Sequence, residues 1–223
     1  ISEIFSKFGV EKLRITGGEP LLRKDLSLLI KDLKSIKSIK EIALTTNGFF
    51  LNKYALDLKQ SGVDRLTVSL DSLNPETYKK LNGQNLDIEK TLEGLKFANS
   101  IGFENIKINC VVMKGVNEKQ IIDLVNFGRE NNLIIRFIEY MDVGTINGWK
   151  SDDVVYAEDI LRIIEKKYEL EAVDPNYFGE VATRYKFIDG MGEIGIISSV
   201  SKPFCADCTR ARITADGNLY TCL

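Results

Sequence analysis

Three cysteines near the end of the chain, Cys205, Cys208 and Cys222, have the residue type and spacing of a metal site. The first two form a C-x2-C pair, which can place two thiolates on one metal ion or cluster, and a hairpin turn at Asp216-Gly217 brings the third back. The chain contains no histidine, so zinc would need a carboxylate or another fourth ligand. Three thiolates suit a [4Fe–4S] cluster that keeps one iron open for a substrate atom. We predict an iron–sulfur site, with zinc as the alternative.

Two arginines follow the C-x2-C pair. Arg210 and Arg212 are two residues apart, so in a strand their guanidinium groups face the same side. Because guanidinium forks bind phosphate well, the pair predicts a phosphorylated ligand beside the cysteines. A solvated pair of arginines is the alternative.

Five polar or reactive side chains lie inside predicted strands: Lys12, Arg14, Lys107, Arg136 and Cys110. A buried cation needs a partner, and four cations that converge would suit a triphosphate. Each cation alone is equally consistent with a solvent-facing or salt-bridged position. The cysteine has apolar neighbours and is interpreted as a core residue.

Polar or glycine-rich segments follow four predicted strands, at residues 17–20, 45–48, 69–72 and 139–142. In a parallel barrel the carboxyl ends of the strands form the active mouth, so these segments predict a site for a large polar ligand. Ordinary turn chemistry is the alternative for any single loop. The first segment is the most specific, because its two glycines expose backbone groups that can bind an ammonium or a carboxylate.

A repeated unit positions these residues: an apolar β-branched run, a loop and an amphipathic helix. The runs lie at 13–16, 42–46, 65–70, 106–112 and 133–140, and each is apolar on both faces, as in buried parallel strands. Five such units without a G-x-G-x-x-G turn predict an α/β fold built as a partial, incomplete TIM-type βα barrel.

After about residue 150 the pattern changes. Residues 157–170 predict a helix, 183–188 and 193–200 predict two antiparallel strands, and 211–223 predict a hairpin. We therefore expect barrel units over residues 1–150 and a β-rich C-terminal appendage with the metal site over residues 151–223, in one continuous structural unit.

Composition excludes several classes of function. The chain is 44% hydrophobic and 28% charged with a net charge of −2, so it has no global nucleic-acid or membrane surface. It has no run of 18 apolar residues and no signal peptide at its start, so we expect a cytoplasmic protein. Without histidine, histidine-based acid–base catalysis is excluded.

One family closely resembles this chain in its segments RITGGEPLLR, LTTNG, VSLDS, RFIEYMDVG, FGEVA and FCADCTRARITADGNLYTCL. It is the radical S-adenosylmethionine (SAM) GTP 3′,8-cyclase family of molybdenum cofactor biosynthesis (MoaA). GGEP occurs in many radical SAM enzymes, whereas the C-terminal segment is much more specific to this family. The resemblance implies reductive cleavage of SAM at an N-terminal [4Fe–4S] cluster. The deoxyadenosyl radical then takes hydrogen from C3′ of GTP, and that carbon attacks guanine C8 to give 3′,8-cyclo-7,8-dihydro-GTP.

The resemblance also implies roles for individual residues. Gly18, Ser69 and Met141 are expected to contact SAM, in a cofactor site that includes Gly17 and Glu19. The expected GTP contacts are Arg14, Thr45, Lys107, Arg210 and Arg212, with Lys12 and Arg136 as further candidates for its phosphates. Cys205, Cys208 and Cys222 are expected to hold an auxiliary [4Fe–4S] cluster whose open iron binds guanine.

The family's C-x3-C-x2-C motif lies upstream of GGEP, and its tail ends in two glycines; these 223 residues contain neither. We therefore expect one cluster at most, no SAM cleavage by these residues alone, and no catalytic residue among them. A homodimer and a downstream cyclic pyranopterin monophosphate synthase are the expected protein partners. Two other functions remain open: a peptide-modifying radical SAM enzyme with an auxiliary cluster, and a non-catalytic zinc-stabilised barrel that binds a nucleotide.

Overall fold

A computed structural model describes residues 1–83, 86–143 and 148–222 of the chain. Within them the α-helices, in chain order, are α1 Ser2–Lys7, α2 Leu26–Lys34, α3 Leu51–Ser61, α4 Pro75–Asn82, α5 Ile88–Ser100, α6 Ile121–Glu130 and α7 Ala157–Glu165. The β-strands are β1 Lys12–Ile15, β2 Glu41–Thr46, β3 Arg65–Ser69, β4 Lys107–Val112, β5 Ile134–Glu139, β6 Leu170–Val173, β7 Thr183–Phe187, β8 Glu193–Ile197, β9 Arg212–Ile213 and β10 Leu219–Tyr220. Among the described residues, no helix combines the length and apolar composition that a membrane span needs.

The chain divides into two compact units, Ile1–Leu70 with Asn82–Lys107, and Asp71–Leu81 with Ile108–Leu223. In the first unit β2 lies between β1 and β3, and both pairs are parallel. Its core is formed by buried residues of β2, β3, α3 and α5. This parallel arrangement brings the carboxyl ends of the three strands, and therefore the loops that follow them, to one edge of the sheet.

The second unit contains a mixed sheet in the order β4-β5-β8-β7-β6. β8 runs parallel to β5, whereas β7 is antiparallel to both β8 and β6. Apolar residues of this sheet and of α6 and α7 are buried, among them Phe137, Ile160 and Ile196. β9 and β10 form a separate antiparallel hairpin, and its turn contains Gly217 at φ 90°.

The sequence patterns predicted these elements closely. β1 to β5 begin and end within one residue of the five predicted runs, and the predicted antiparallel pair and the final hairpin are both present. The expected α/β class, with parallel strands and an antiparallel C-terminal part, is confirmed.

Two expectations about these elements were wrong. β1 alternates exposed and half-buried residues, and β4 and β5 alternate half-buried and buried ones, so these three strands are not buried on both faces. In β4 and β5 the half-buried positions include Lys107, Asn109 and Arg136, which keep one face polar. The helix expected over 157–170 ends at Glu165, and Leu170–Val173 forms β6. Backbone pairing with β7 outweighs the helical pattern there.

Candidate functional site

The glycine loop after β1 is held by Glu19. The Glu19 carboxylate accepts hydrogen bonds from Leu21 N at 3.0 Å, Thr46 Oγ1 at 2.6 Å and Asn47 N at 2.7 Å. These bonds cap the 3₁₀ turn Pro20–Leu22 and tie the loop to the end of β2. Since both carboxylate oxygens accept bonds from the protein, the local role of Glu19 is to brace the loop.

Gly17 and Gly18 are both exposed in this loop. Gly17 has φ 141°, and a Cβ atom added at either glycine would have open space around it. Backbone N–H and C=O groups at these positions are therefore accessible to a ligand. Ser69 is also exposed, at the last position of β3.

A cation and two hydroxyl groups meet across β1, β2 and β3. Arg14 Nη1 donates to Thr45 Oγ1 at 2.8 Å and to Thr67 Oγ1 at 3.2 Å. Thr45 and Thr67 are direct partners in the parallel register. The structure thus brings together two predicted ligand contacts, Arg14 and Thr45, and adds the buried Thr67. Thr67 could have been predicted to join this group from its place beside Thr45 on the neighbouring strand.

The first unit contains two further cations that were predicted to bind phosphate, Lys12 and Lys107. Lys12 is exposed and precedes Arg14 by two residues on β1, so the two side chains lie on one face of that strand. Lys107 is half-buried at the first position of β4.

In the second unit Arg136 Nε donates to Asn109 Oδ1 at 2.9 Å. Arg136 lies opposite Gly195 of β8 in the parallel register. A Cβ added at Gly195 would come within 3.2 Å of Arg136 Cγ, so the aliphatic part of the arginine packs across this glycine. Met141, which follows the same strand, is half-buried.

Cys205 and Cys208 lie on one turn. Cys205 is the first residue of the 3₁₀ turn Cys205–Asp207, and Cys208 follows the turn directly. Cys208 N donates a hydrogen bond to Cys205 O at 3.3 Å. Cys205 and Cys222 are exposed, Cys208 is half-buried, and none forms a disulfide. Within residues 1–83, 86–143 and 148–222, no three cysteine, aspartate or glutamate side chains are grouped closely enough to bind a metal. The thiol donors fit an iron–sulfur cluster chemically, but the structure does not gather the three into one ligand set, which therefore stays a prediction.

Arg210 contacts one of these thiols. Its Nε and Nη2 atoms lie 3.3 and 3.2 Å from Cys208 Sγ, and its guanidinium lies 4.9 Å from the centre of the Phe204 ring. The backbone and side-chain N–H groups of Arg210 lower the pKa of Cys208 below its ordinary value. Arg212 is half-buried at the first position of β9.

Sequence analysis placed Glu139, the last residue of β5, in the segment 139–142 but gave it no individual role. Its carboxylate is fully buried and accepts hydrogen bonds from Ala157 N, Val200 N and Ser201 N, each at 2.7 Å, and from the Ser201 hydroxyl. It thereby ties the strand end that precedes Met141 to the segment before the cysteine pair. Its burial could have been predicted from the alternation of side chains along a strand, because Ile135, Phe137 and Glu139 lie on the same, buried face of β5.

A second acidic residue, Asp71 of the segment 69–72, was likewise given no individual role. Asp71 Oδ1 accepts a hydrogen bond from Val111 N at 2.7 Å, and Asp71 O accepts one from Asn117 Nδ2 at 2.7 Å. Burial raises the pKa of Asp71 to about 6, although the Val111 N–H group acts in the opposite direction. Cys110 is buried, as predicted for a core residue. Burial and the nearby Asp71 charge hold the pKa of its thiol well above the ordinary value.

Two protein-family models match the chain. Residues 1–128 match the radical SAM superfamily, and residues 133–223 match the family described as Molybdenum Cofactor Synthesis C. The second region contains the C-x2-C pair and both arginines. The expected domain boundary near residue 150 stays a prediction.

Curated relatives match nearly the whole chain. GTP 3′,8-cyclase of Xanthomonas axonopodis pv. citri is 50% identical over 219 residues, which cover 98% of this chain and 66% of that protein. GTP 3′,8-cyclase of Acidothermus cellulolyticus is 46% identical over 223 residues, which cover 100% of this chain and 62% of that protein. The chain therefore spans just under two thirds of the length of these relatives.

Solved structures share the fold at low sequence identity. Streptococcus suis SuiB bound to S-adenosylmethionine superposes with a TM-score of 0.69 at 20% identity, over 98% of this chain and 50% of that chain. Coproporphyrinogen III oxidase (HemN) from Escherichia coli, a radical SAM enzyme, gives a TM-score of 0.54 at 19% identity, over 88% of this chain and 54% of that chain. With residues 1–128 matching the superfamily model and this fold in common, the chain belongs to the radical SAM superfamily.

Proposed function

We propose that the chain is the substrate-holding part of a GTP 3′,8-cyclase, which converts GTP to 3′,8-cyclo-7,8-dihydro-GTP in molybdenum cofactor biosynthesis. One observation carries the proposal: relatives with that name are 45–50% identical over at least 98% of the chain. The identity extends through the region matched by Molybdenum Cofactor Synthesis C, which contains the three C-terminal cysteines. The peptide-modifying and zinc-barrel alternatives have no comparable support.

The SAM contacts in this proposal are backbone groups of Gly17 and Gly18 and the side chains of Ser69 and Met141. Open space beside the two glycines supports the loop as a ligand contact. Glu19 contributes by holding the loop against β2 through Thr46 and Asn47. Because the brace forms within the protein, the loop is ordered before a ligand binds, and less entropy is lost on binding.

The GTP contacts in the first unit are Arg14 and Thr45, with Lys12 and Lys107 as further phosphate ligands. The Arg14–Thr45 hydrogen bond supports this assignment, since it orients a guanidinium group, and guanidinium forks bind phosphate well. Thr67 fixes the same guanidinium from β3.

Arg136, Arg210 and Arg212 are the remaining proposed GTP contacts, and Cys205, Cys208 and Cys222 are the proposed ligands of an auxiliary cluster. When bound by three thiolates, a [4Fe–4S] cluster supplies one iron with an open coordination position. The thiol-only donor set and the two N–H groups of Arg210 directed at Cys208 Sγ support this assignment. Arg210 stabilises negative charge on sulfur while it stacks on Phe204. A homodimer and transfer of the product to a cyclic pyranopterin monophosphate synthase belong to the same proposal.

Anaerobic reconstitution with iron and sulfide, followed by metal analysis, tests the cluster assignment. We expect about four iron atoms per chain in these 223 residues, and this iron is lost when Cys208 is replaced by alanine. Cys110→Ala is the matched control, because the Cys110 thiol is buried and lies outside the proposed ligand set. One zinc per chain without iron would overturn the cluster.

Binding of GTP tests the substrate assignment. In the reconstituted full chain we expect Arg14→Ala, Arg210→Ala and Arg212→Ala each to weaken GTP binding about 10- to 100-fold, as expected for loss of a charge-assisted hydrogen bond. Arg162→Ala is the control, since this exposed arginine of α7 pairs only with Asp159 among the ion pairs of the described residues. Affinity unchanged from that control in all three variants would remove GTP from the proposal.

A further inference from the structure

The turn that contains Gly179 lies directly against the C-x2-C segment. Gly179 has φ 79°, and a Cβ atom added there would lie 2.9 Å from Thr209 Oγ1 and 3.0 Å from Asp207 O. Real Cβ atoms essentially never show the first distance, and the second is tighter than nine in ten real Cβ contacts. Asp207 and Thr209 are the residues on either side of Cys208, so the absence of a side chain at position 179 lets the turn pack against the backbone that carries this thiol.

The turn is held in shape by its own hydrogen bonds. Glu180 N donates to Tyr177 O at 3.2 Å, and Asn176 N donates to Glu180 Oε2 at 2.7 Å. A turn closed in this way cannot move aside easily. A larger residue at position 179 would therefore displace the cysteine segment, whose Asp207 carbonyl belongs to the 3₁₀ turn between Cys205 and Cys208.

The start of the cysteine segment is fixed independently. Glu139 holds Val200 and Ser201 by hydrogen bonds to their backbone N–H groups. The segment is thus anchored before the cysteine pair by Glu139 and supported at the pair itself by the turn. Only the second contact adjoins a proposed ligand.

We propose that Gly179 is a positioning residue for the cysteine pair: its close approach to Asp207 and Thr209 sets the place of Cys208 relative to Cys205. The inference rests on the proposed function, in which both thiols bind the auxiliary cluster. It gives a role to the F-G-E sequence at 178–180, and the role is geometric: Gly179 acts through its close approach to Asp207 and Thr209.

A positive φ angle by itself favours glycine, so the effect of close packing must be separated from backbone strain. Gly190 provides the control, because it has φ 78° and a Cβ added there would have open space around it. Gly179→Ala and Gly190→Ala place a Cβ at nearly equal positive φ angles, and the first alone adds a collision beside Cys208.

The experiment uses the full chain reconstituted anaerobically with iron and sulfide, with iron content and the visible absorption of the cluster as readouts. We expect Gly179→Ala to retain about tenfold less iron than the wild type at limiting iron, as for other residues that orient metal ligands, while Gly190→Ala retains wild-type iron. Thr209 supplies two of the three closest contacts. Gly179→Ala combined with Thr209→Ala should therefore recover part of the iron.

A second readout does not depend on the cluster. In the metal-free chain, iodoacetamide labelling followed by mass spectrometry is expected to show a rate at Cys208 that changes severalfold in Gly179→Ala and stays unchanged in Gly190→Ala. The buried Cys110 thiol reports folding in the same sample, because it is labelled only when the chain unfolds. If Gly179→Ala exposes Cys110, the double variant carries the test.

The outcomes separate the two proposals. A wild-type chain that binds no iron removes the proposed cluster, whereas the labelling rates still decide whether Gly179 positions Cys208. Equal iron content and equal Cys208 labelling in Gly179→Ala and Gly190→Ala would overturn the positioning role. The same conclusion follows if Thr209→Ala gives no recovery in the double variant.

Discussion

Glu139 illustrates how hydrogen bonds can stabilise a buried charge. Its side chain has no solvent exposure, and burial by itself would raise its pKa. The Ser201 hydroxyl and the N–H groups of Ser201, Ala157 and Val200 outweigh that effect, so the pKa of Glu139 lies below its ordinary value. One of the donors, Ala157, is the first residue of α7, where the helix dipole also favours a negative charge.

We predict that Glu139→Gln lowers the free energy of unfolding by about 2–4 kcal/mol at pH 7. The glutamine NH2 group would face backbone N–H donors that need an acceptor. Urea denaturation measures the loss, with the exposed Glu104→Gln as the matched control.

The same variant has a pH signature. A carboxyl group with a lowered pKa in the folded state contributes stability above its unfolded pKa of about 4.3 and loses it as the pH falls through the folded value. The stability difference between wild type and Glu139→Gln should therefore be full near pH 7 and shrink below about pH 4. A difference that stays constant down to pH 3 would contradict an ionised Glu139.

Asp71 has the opposite behaviour, since burial raises its pKa to about 6. A raised pKa means that the folded state favours the protonated acid, so stability is lost as the pH rises from about 4 to about 6. Asp71→Asn keeps an oxygen acceptor for Val111 N but cannot ionise. We expect thermal unfolding midpoints of the wild type to fall across this interval relative to the variant. The exposed Asp57→Asn serves as control, and parallel pH profiles for wild type and Asp71→Asn would refute the prediction.

At the scale of elements, the packing of α5 on α3 depends on one small residue. A Cβ atom added at Gly94 would lie 2.9 Å from Leu51 Cβ and 3.1 Å from both Asn52 N and Gly48 O. Two of these atoms belong to the backbone, which cannot rotate away. Gly94 is therefore retained in the middle of a helix although alanine has the better helix propensity, by about 1 kcal/mol.

We predict that Gly94→Ala lowers the free energy of unfolding by about 1–3 kcal/mol, because overpacking outweighs the gain in propensity. Urea denaturation of the variant measures this change. Lys96→Ala is the control on an exposed face of the same helix, with an expected change within about 0.5 kcal/mol. A Gly94→Ala variant more stable than the wild type would show that the two helices can separate without cost.

At the scale of the whole molecule, the chain combines a radical SAM region with a region matched by Molybdenum Cofactor Synthesis C. Its four cysteines do not form a C-x3-C-x2-C motif. We therefore predict that these 223 residues, reconstituted with iron and sulfide and reduced with dithionite, do not form 5′-deoxyadenosine from SAM. Chromatography of the quenched reaction measures the product, with a complete GTP 3′,8-cyclase as the positive control. Formation of 5′-deoxyadenosine above the protein-free level would overturn the prediction.

Local patterns were enough for most of the elements. Apolar spacing such as that of Leu26, Leu29, Ile30 and Leu33 predicts α2, and Asp216-Gly217 predicts the final turn, because both signals act over a few residues. The error at Leu170–Val173 arose where a long-range partner decided the outcome. Its pairing with β7 across the connection at 174–182 is invisible to a local pattern.

By itself the sequence determined the α/β class, the order of the strands along the chain and the ligand candidates, because these depend on residue type and spacing. It also determined the family resemblance, since each motif consists of residues that are close together in the sequence. The tertiary structure alone decided the environments. Glu139 and Ser201 are 62 residues apart in sequence, Asp71 and Val111 are 40 apart, and Gly179 contacts Thr209 from a different loop. Burial, pKa and close packing arise from such distant pairs, and the pairs exist only once the chain has folded.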